Sequence, residues 1–262
     1  MAVVIEKDKP VLVLLHGWGL NHAVWQQIRP QLSEHFQVLT PDLPGFGLTE
    51  SYPQPYSLSN IAALVATQIP AGSLLLGWSL GGLVATQIAL DYPQKVKALA
   101  LVASSPYFVA AEDWPGMAPK VLRQFALALA KDVAQTIDRF LAIQALGSET
   151  ARQEIKQLKQ ALLSLPLPQP EALAGGLTLL AEQDLRPRLA ELRQPVAGCF
   201  GRLDSLVPVA MLEPLQLLLP QANLTVIPKA SHAPFISHPL EFLNWLLDWA
   251  IQHSSKNEAI CR

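Results

Sequence analysis

The stretch Leu74-Leu75-Leu76-Gly77-Trp78-Ser79-Leu80-Gly81-Gly82 decides how this chain is read. An apolar run suited to a strand enters Gly-x-Ser-x-Gly, and a helix-like apolar pattern follows at Leu83, Val84, Ile88 and Ala89. Strand, pentapeptide and helix in that order form a nucleophile elbow, a turn so tight that only glycines fit on either side of the serine. The turn lifts the serine hydroxyl above the sheet, where a base can reach it. It also leaves backbone N–H groups at a helix N-terminus, where partial positive charge meets a developing oxyanion. Ser79 is therefore the candidate nucleophile, against the plainer reading of a serine in a tight turn.

Working outward, short apolar runs recur between helical patterns. They are Val11–Leu15, Val38–Leu39, Leu74–Leu76, Ala98–Val102, Val196–Phe200 and Leu224–Ile227. The runs are continuously apolar rather than alternating, as in strands covered on both faces of a parallel sheet. Helical segments fit between them at Ile61–Gln68, Leu80–Asp91 and Glu241–Gln252. The pattern is α/β, a mostly parallel central sheet flanked by helices, with ligands expected at the carboxyl ends of the strands. One interval breaks the alternation. From Ser105 to Pro187 only helical periodicity appears (Val121, Leu122, Phe125, Leu129, then Ile155, Leu158, Leu162), interrupted by the extended Pro166, Pro168, Pro170 run. The expected organisation is a core of residues 1–104 and 188–262 with a helical cap inserted at 105–187.

Composition bounds the rest. At 262 residues, half of them apolar and with a net charge of −2, the chain suits one globular domain rather than a disordered or nucleic-acid-binding protein. Met1 to Pro10 carries Glu6, Lys7, Asp8 and Lys9 and does not read as a secretory signal; no run is long enough to span a membrane. Cys199 and Cys261 form neither a disulfide framework nor a metal-ligand spacing. A cytoplasmic monomer without metal is the expectation.

A serine hydroxyl needs a base, and the base needs an orienting acid. His232 follows the last apolar run and precedes the last helix, so it can swing back over the sheet. His22, His35, His238 and His253 lie in less suitable contexts. Asp204 follows the run Val196–Phe200, although a turn aspartate capping the helix near Pro208 would look the same. The order Ser79, Asp204, His232 is that of α/β-hydrolases. An oxyanion hole needs two backbone donors: Leu80 N–H is one, and Trp18 in His16-Gly17-Trp18-Gly19-Leu20-Asn21 is the favoured other. His16 competes as a second base but reads better as a structural residue of that loop. Gly45-Phe46-Gly47 lacks the further glycines and lysine of a phosphate-binding loop.

These residues resemble the α/β-hydrolase superfamily over essentially the whole chain. Closer likeness lies in His16–Asn21, Gly77–Ala85, Ala103–Pro106 with Trp114-Pro115-Gly116, and Ser231–Pro239. Together these segments resemble the pimeloyl-[acyl-carrier protein] methyl ester carboxylesterases of biotin synthesis. The resemblance implies a serine esterase that frees methanol and needs no cofactor, with acyl carrier protein as partner. It also implies substrate contacts at Trp18, Ser79, Leu80, His232 and the acyl-contacting stretch Phe140, Leu141, Ala142, Ile143, Gln144.

An acyl carrier protein is acidic, so its docking surface should be basic. Arg152, Lys156 and Lys159 fall on one helical stripe, with Arg139 nearby and Glu149 and Glu154 diluting the field. The cap as a whole holds eight basic and nine acidic residues, so only a local surface can serve. Other readings remain open on sequence: a general short-chain esterase, a C–C bond hydrolase, a proline iminopeptidase using Glu112, Asp113 or Glu182 for a substrate ammonium, or a non-catalytic binding protein on a hydrolase fold.

Overall fold

The computed structural model describes residues 9–254. The charged N-terminal residues through Asp8, and Cys261, lie outside them. Six strands form one sheet: β1 (Val11–Leu15), β2 (Gln37–Leu39), β3 (Ser73–Trp78), β4 (Val96–Val102), β5 (Val196–Gly201) and β6 (Asn223–Ile227), in spatial order β2-β1-β3-β4-β5-β6. Every neighbouring pair is parallel. All six apolar runs are strands, and β3 and β5 are buried along their whole length, which is why their sequences do not alternate.

Helices α1 (Arg29–His35), α2 (Leu58–Ala66) and α3 (Leu80–Asp91) cross between the early strands. Helices α4 (Pro119–Leu129), α5 (Val133–Gln144), α6 (Ala151–Leu163) and α7 (Pro170–Glu182) follow β4. After β5 come α8 (Leu212–Leu218), α9 (Pro234–Ser237) and α10 (Pro239–Ser254). Local chemistry sets several helix starts. Ser57 and Asp132 accept from the N–H groups of Asn60 and Gln135, while Pro119 and Pro170 occupy first-turn positions that need no donor.

Four consecutive helices between β4 and β5 hold no strand of the sheet; only isolated bridges, Val109–Met117 and Ala111–Trp114, tie their entry loop. Helix α7 seats tightly on the core. A Cβ at Gly175 would lie 2.4 Å from the Tyr56 ring, and one at Gly176 would lie 2.7 Å from Trp18 Cδ1.

Strand order locates the site. The chain runs outward from β1 to β2 and then returns to place β3 on the other side of β1, so the switch point lies between β1 and β3. Loops leaving adjacent strands there diverge and open a crevice at the carboxyl ends. Leu15 pairs with Gly77 in register, which brings the His16–Asn21 loop and the Ser79 elbow to one level.

Candidate active site

Ser79 occupies the junction of β3 and α3 with φ 54° and ψ −121°, a left-handed conformation that a residue with a side chain rarely adopts. A serine before a helix ordinarily caps it through its oxygen. Here the twisted backbone turns the side chain away and it makes no cap bond, so the hydroxyl stays free for chemistry. The turn is held by Ser79 N–H to Val102 O (3.0 Å) and Ser104 Oγ–H to Ser79 O (2.8 Å). Glycines flank it because a Cβ at Gly77 would come within 2.2 Å of Gly81 O, and one at Gly81 within 2.5 Å of His16 O.

Asp204 and His232 meet at the ends of β5 and β6. His232 Nδ1 lies 2.8 Å from Asp204 Oδ2, with both side chains almost completely buried. A carboxylate only accepts, so a neutral His232 carries its proton on Nδ1 and a lone pair on Nε2. Asp204 Oδ1 accepts from Leu206 N–H (2.8 Å) and Val207 N–H (3.0 Å). Turn aspartate and histidine partner, which the sequence sets against each other, are thus two oxygens of one carboxylate. His232 Nε2 is buried, and among the described residues it has no partner. No hydrogen bond joins it to Ser79 Oγ among those residues; unliganded sites commonly hold this contact loosely.

The His232 backbone is gripped from two sides. Trp78, the residue before Ser79, donates its indole N–H to His232 O (2.8 Å), with ring centroids 5.8 Å apart. From the opposite side His232 N–H donates to Gln144 O (3.0 Å) at the end of α5.

The His16–Asn21 loop lies against the elbow: a Cβ on Gly17 would sit 3.1 Å from Ser79 Cβ. Trp18 follows it, buried, with its indole N–H donating to Leu173 O of α7 (2.9 Å) and its ring 4.6 Å from Phe140. Leu80 N–H is the first of α3 and has no carbonyl one turn back. Among the described residues neither the Trp18 nor the Leu80 N–H is hydrogen-bonded to another protein group. Two free donors beside Ser79 are the form an oxyanion hole takes.

His16 is a structural residue. Its Nε2 accepts from Leu43 N–H (3.0 Å), so the proton sits on Nδ1 and donates to Gly17 O (2.9 Å). Burial holds its pKa below the ordinary histidine value, and the nearby Asp42 only partly offsets this. Its 3.7 Å approach to Asp42 is therefore contact with a neutral ring rather than an ion pair. Gly45 and Gly47, at φ 84° and 52°, wrap a turn around Asp42, which also holds His22 and Leu48 N–H.

Helix α5 divides the Phe140–Gln144 stretch between two faces, as consecutive helical residues must be. Phe140 packs on Trp18, Leu141 is buried, and Gln144 is buried at the His232 loop. Ala142 and Ile143 turn outward and, with Arg139 and Phe125, line a separate cavity of about 470 Å³ between α4 and α5. On α6 Arg152, Lys156 and Lys159 are exposed while Leu158 and Leu162 are buried. Lys159 Nζ is 2.8 Å from Asp138 Oδ1. Glu154 corrects the surface reading: it is 1 % exposed, faces inward, and cannot dilute an outer field. The signal that could have shown this is its position one turn before Leu158 on the apolar side.

Glu112, Asp113 and Glu182 lie exposed, and Asp113 approaches Arg186 (3.8 Å), so these carboxylates do not form a buried ammonium site. Among the described residues no cluster of three or more His, Cys, Asp or Glu could hold a metal ion, and no helix is long and apolar enough to cross a membrane.

Comparison with known proteins agrees with the fold. The alpha/beta hydrolase fold family matches residues 10–239. A pimeloyl-[acyl-carrier protein] methyl ester esterase of Aeromonas hydrophila is 52% identical over 93% of this chain and 97% of its own length. The protein of that description from Klebsiella pneumoniae is 50% identical over 90% and 91%. Among solved structures, an esterase from Exiguobacterium antarcticum superposes with a TM-score of 0.83 at 21% identity, covering 94% of this chain and 93% of that one. It supports the fold alone.

Proposed function

The chain belongs to the pimeloyl-[acyl-carrier protein] methyl ester esterases of the alpha/beta hydrolase fold, and from that premise we propose a residue-level course for its reaction. It is a carboxylic ester hydrolase that converts the methyl ester of pimeloyl-acyl carrier protein to the free acid and methanol, in biotin synthesis. Ser79 Oγ attacks the ester carbonyl carbon as His232 Nε2 takes its proton. The oxyanion is received by Trp18 and Leu80 N–H. His232 returns the proton to the departing methoxide, methanol leaves, and water, deprotonated by His232, releases the acid from Ser79. Asp204 Oδ2, accepting from Nδ1, keeps the histidine proton on that nitrogen. The single observation that carries this chemistry is the buried Asp204–His232 pair, with its free Nε2, set beside the Ser79 elbow.

Residues 105–187 serve as the cap over this site. Phe140, Leu141 and Gln144 line its acyl-facing side, and Ala142 and Ile143 meet substrate only where the outer cavity continues the channel. The carrier docks on the exposed face of α6. Lys159 is neighboured by Asp138, so Arg152 and Lys156 supply most of the field, with Arg139 at the cavity rim. The enzyme is proposed to act as a monomer in the cytoplasm.

Incubation with the pimeloyl-carrier methyl ester should lower its mass by about 14 units, methyl being replaced by hydrogen, and Ser79→Ala should abolish this change. An unchanged substrate mass, or turnover by Ser79→Ala, would refute the reading. Reversing charge at Arg152 and Lys156 should weaken activity on the carrier-bound ester far more than on a small soluble ester. Equal losses on both would remove the docking surface.

A further inference from the structure

Glu154 is a buried carboxylate that the reaction above does not use. Its Oε1 accepts from the hydroxyls of Ser148 and of Thr150 (2.8 Å), and its Oε2 accepts from Ser231 Oγ at 3.0 Å. Burying a carboxylate is expensive unless hydrogen bonds replace its water, and here three hydroxyl donors do so. A packed apolar side chain would serve stability at least as well at such a place. The charge is therefore better explained by what it holds in position.

What it holds is the loop of the catalytic base. Ser231 directly precedes His232, and Ser148 and Thr150 form the turn between α5 and α6. The same turn follows Gln144, whose carbonyl takes His232 N–H. We propose that Glu154 is a positioning residue: through Ser231 and the α5–α6 turn it sets where His232 stands relative to Ser79. The proposal rests on His232 being the general base.

The physical need is plain. Asp204 fixes the rotation of the imidazole through one bond at Nδ1, but one bond leaves the ring free to pivot as the backbone moves. Catalytic groups have to be held within roughly 0.5 Å of their working geometry. Trp78 fixes the His232 carbonyl from the core side. Gln144 O and the Ser231–Glu154 bond fix the opposite side from the cap. The outward face of α6 carries Arg152 and Lys156, so one helix joins the carrier surface to the base.

The test uses the full chain, a short soluble ester that does not need the carrier, and four variants: Ser231→Ala, Glu154→Ala, Glu154→Gln and Ser79→Ala. Thermal melts confirm that each is folded. For Ser231→Ala and Glu154→Ala, kcat should fall roughly ten- to a hundredfold, the size of loss expected from a displaced catalytic group, with KM little changed. The downfield proton resonance of the His232 Nδ1–H bond should shift or broaden in both. Glu154→Gln should recover part of kcat, because its amide oxygen still accepts from the turn and its NH2 can donate to Ser231 Oγ. Wild-type kcat and an unchanged resonance in Ser231→Ala would overturn the proposal, as would a Glu154→Ala protein that melts earlier but keeps full turnover per folded molecule. Turnover by Ser79→Ala would instead remove the reading of the site itself, so the two failures are distinguishable.

Discussion

Asp204→Asn tests the site most sharply, because the structure decides in advance which way the new amide faces. Asp204 Oδ1 meets two donors, Leu206 and Val207 N–H, at 2.8 and 3.0 Å. An asparagine oxygen must take that place, which turns the NH2 group toward His232 Nδ1. Flipping the amide would leave both backbone donors facing an NH2, at about 1–3 kcal/mol each, or roughly 2–6 kcal/mol together. The imidazole must then accept at Nδ1 and carry its proton on Nε2, where it cannot take one from Ser79. A serine triad with this substitution loses about 10⁴-fold in kcat, equivalent to about 5.4 kcal/mol of barrier. Stability should behave oppositely. Asparagine keeps both backbone bonds and should melt near wild type, whereas Asp204→Ala strands the two N–H groups and should lose about 2–6 kcal/mol. Steady-state hydrolysis of a chromogenic ester and urea denaturation read the two effects separately. An Asp204→Asn enzyme retaining more than about a tenth of wild-type kcat, or an alanine variant as stable as the asparagine one, would refute the reasoning.

Two further outcomes follow from the packing and the charge state of the His16–Asn21 loop. Gly176→Ala should destabilise the protein and lower kcat, although helix propensity alone favours alanine by about 1 kcal/mol. The added Cβ falls 2.7 Å from Trp18 Cδ1 and 3.3 Å from Leu80 Cδ2, and overpacking of this kind costs about 1–3 kcal/mol; a more stable, fully active variant would contradict the tight seating of α7 on Trp18 and Leu80. Acid should weaken the fold through His16. Its folded pKa is depressed by burial, so below the ordinary value of about 6.5 the unfolded chain binds a proton that the folded one refuses. The contribution is intact above that value and is lost as pH falls toward the lowered folded pKa; His16→Asn, compared by urea denaturation between pH 8 and pH 5, should show a shallower acid loss than wild type, and identical slopes would exclude the assignment.

Much of this architecture was legible because parallel strands buried on both faces leave uninterrupted apolar runs, and all six runs proved to be strands. Ser79, Asp204 and His232 could be picked out as candidates because each follows a strand at its carboxyl end. Glu154 was not, since counting charges along a helix treats every carboxylate as solvated, and only the neighbours of α6 reveal its three hydroxyl donors. Nor could the sequence divide Phe140–Gln144 by function without the direction in which α5 faces. The holds of α7 on Trp18 and of α5 on His232 were hidden for another reason: they run through the carbonyls of Leu173 and Gln144. Every residue type carries the same carbonyl, so nothing in residue identity marks these two. The Gly175-Gly176 pair inside α7 was the one trace, spacing that a close approach to Tyr56 and Trp18 demands.

The bonds that complete the site span long stretches of chain, 154 residues from Trp78 to His232 and 155 from Trp18 to Leu173. Contacts this remote form only once both partners have left the ribosome, so the bond from Trp78 waits for the segment after β6. A nascent chain that ends before β6 already contains the elbow residues, yet lacks His232 and with it the carbonyl that accepts from Trp78. On the proposed reaction, an unfinished chain of this kind carries Ser79 without the group that would activate it.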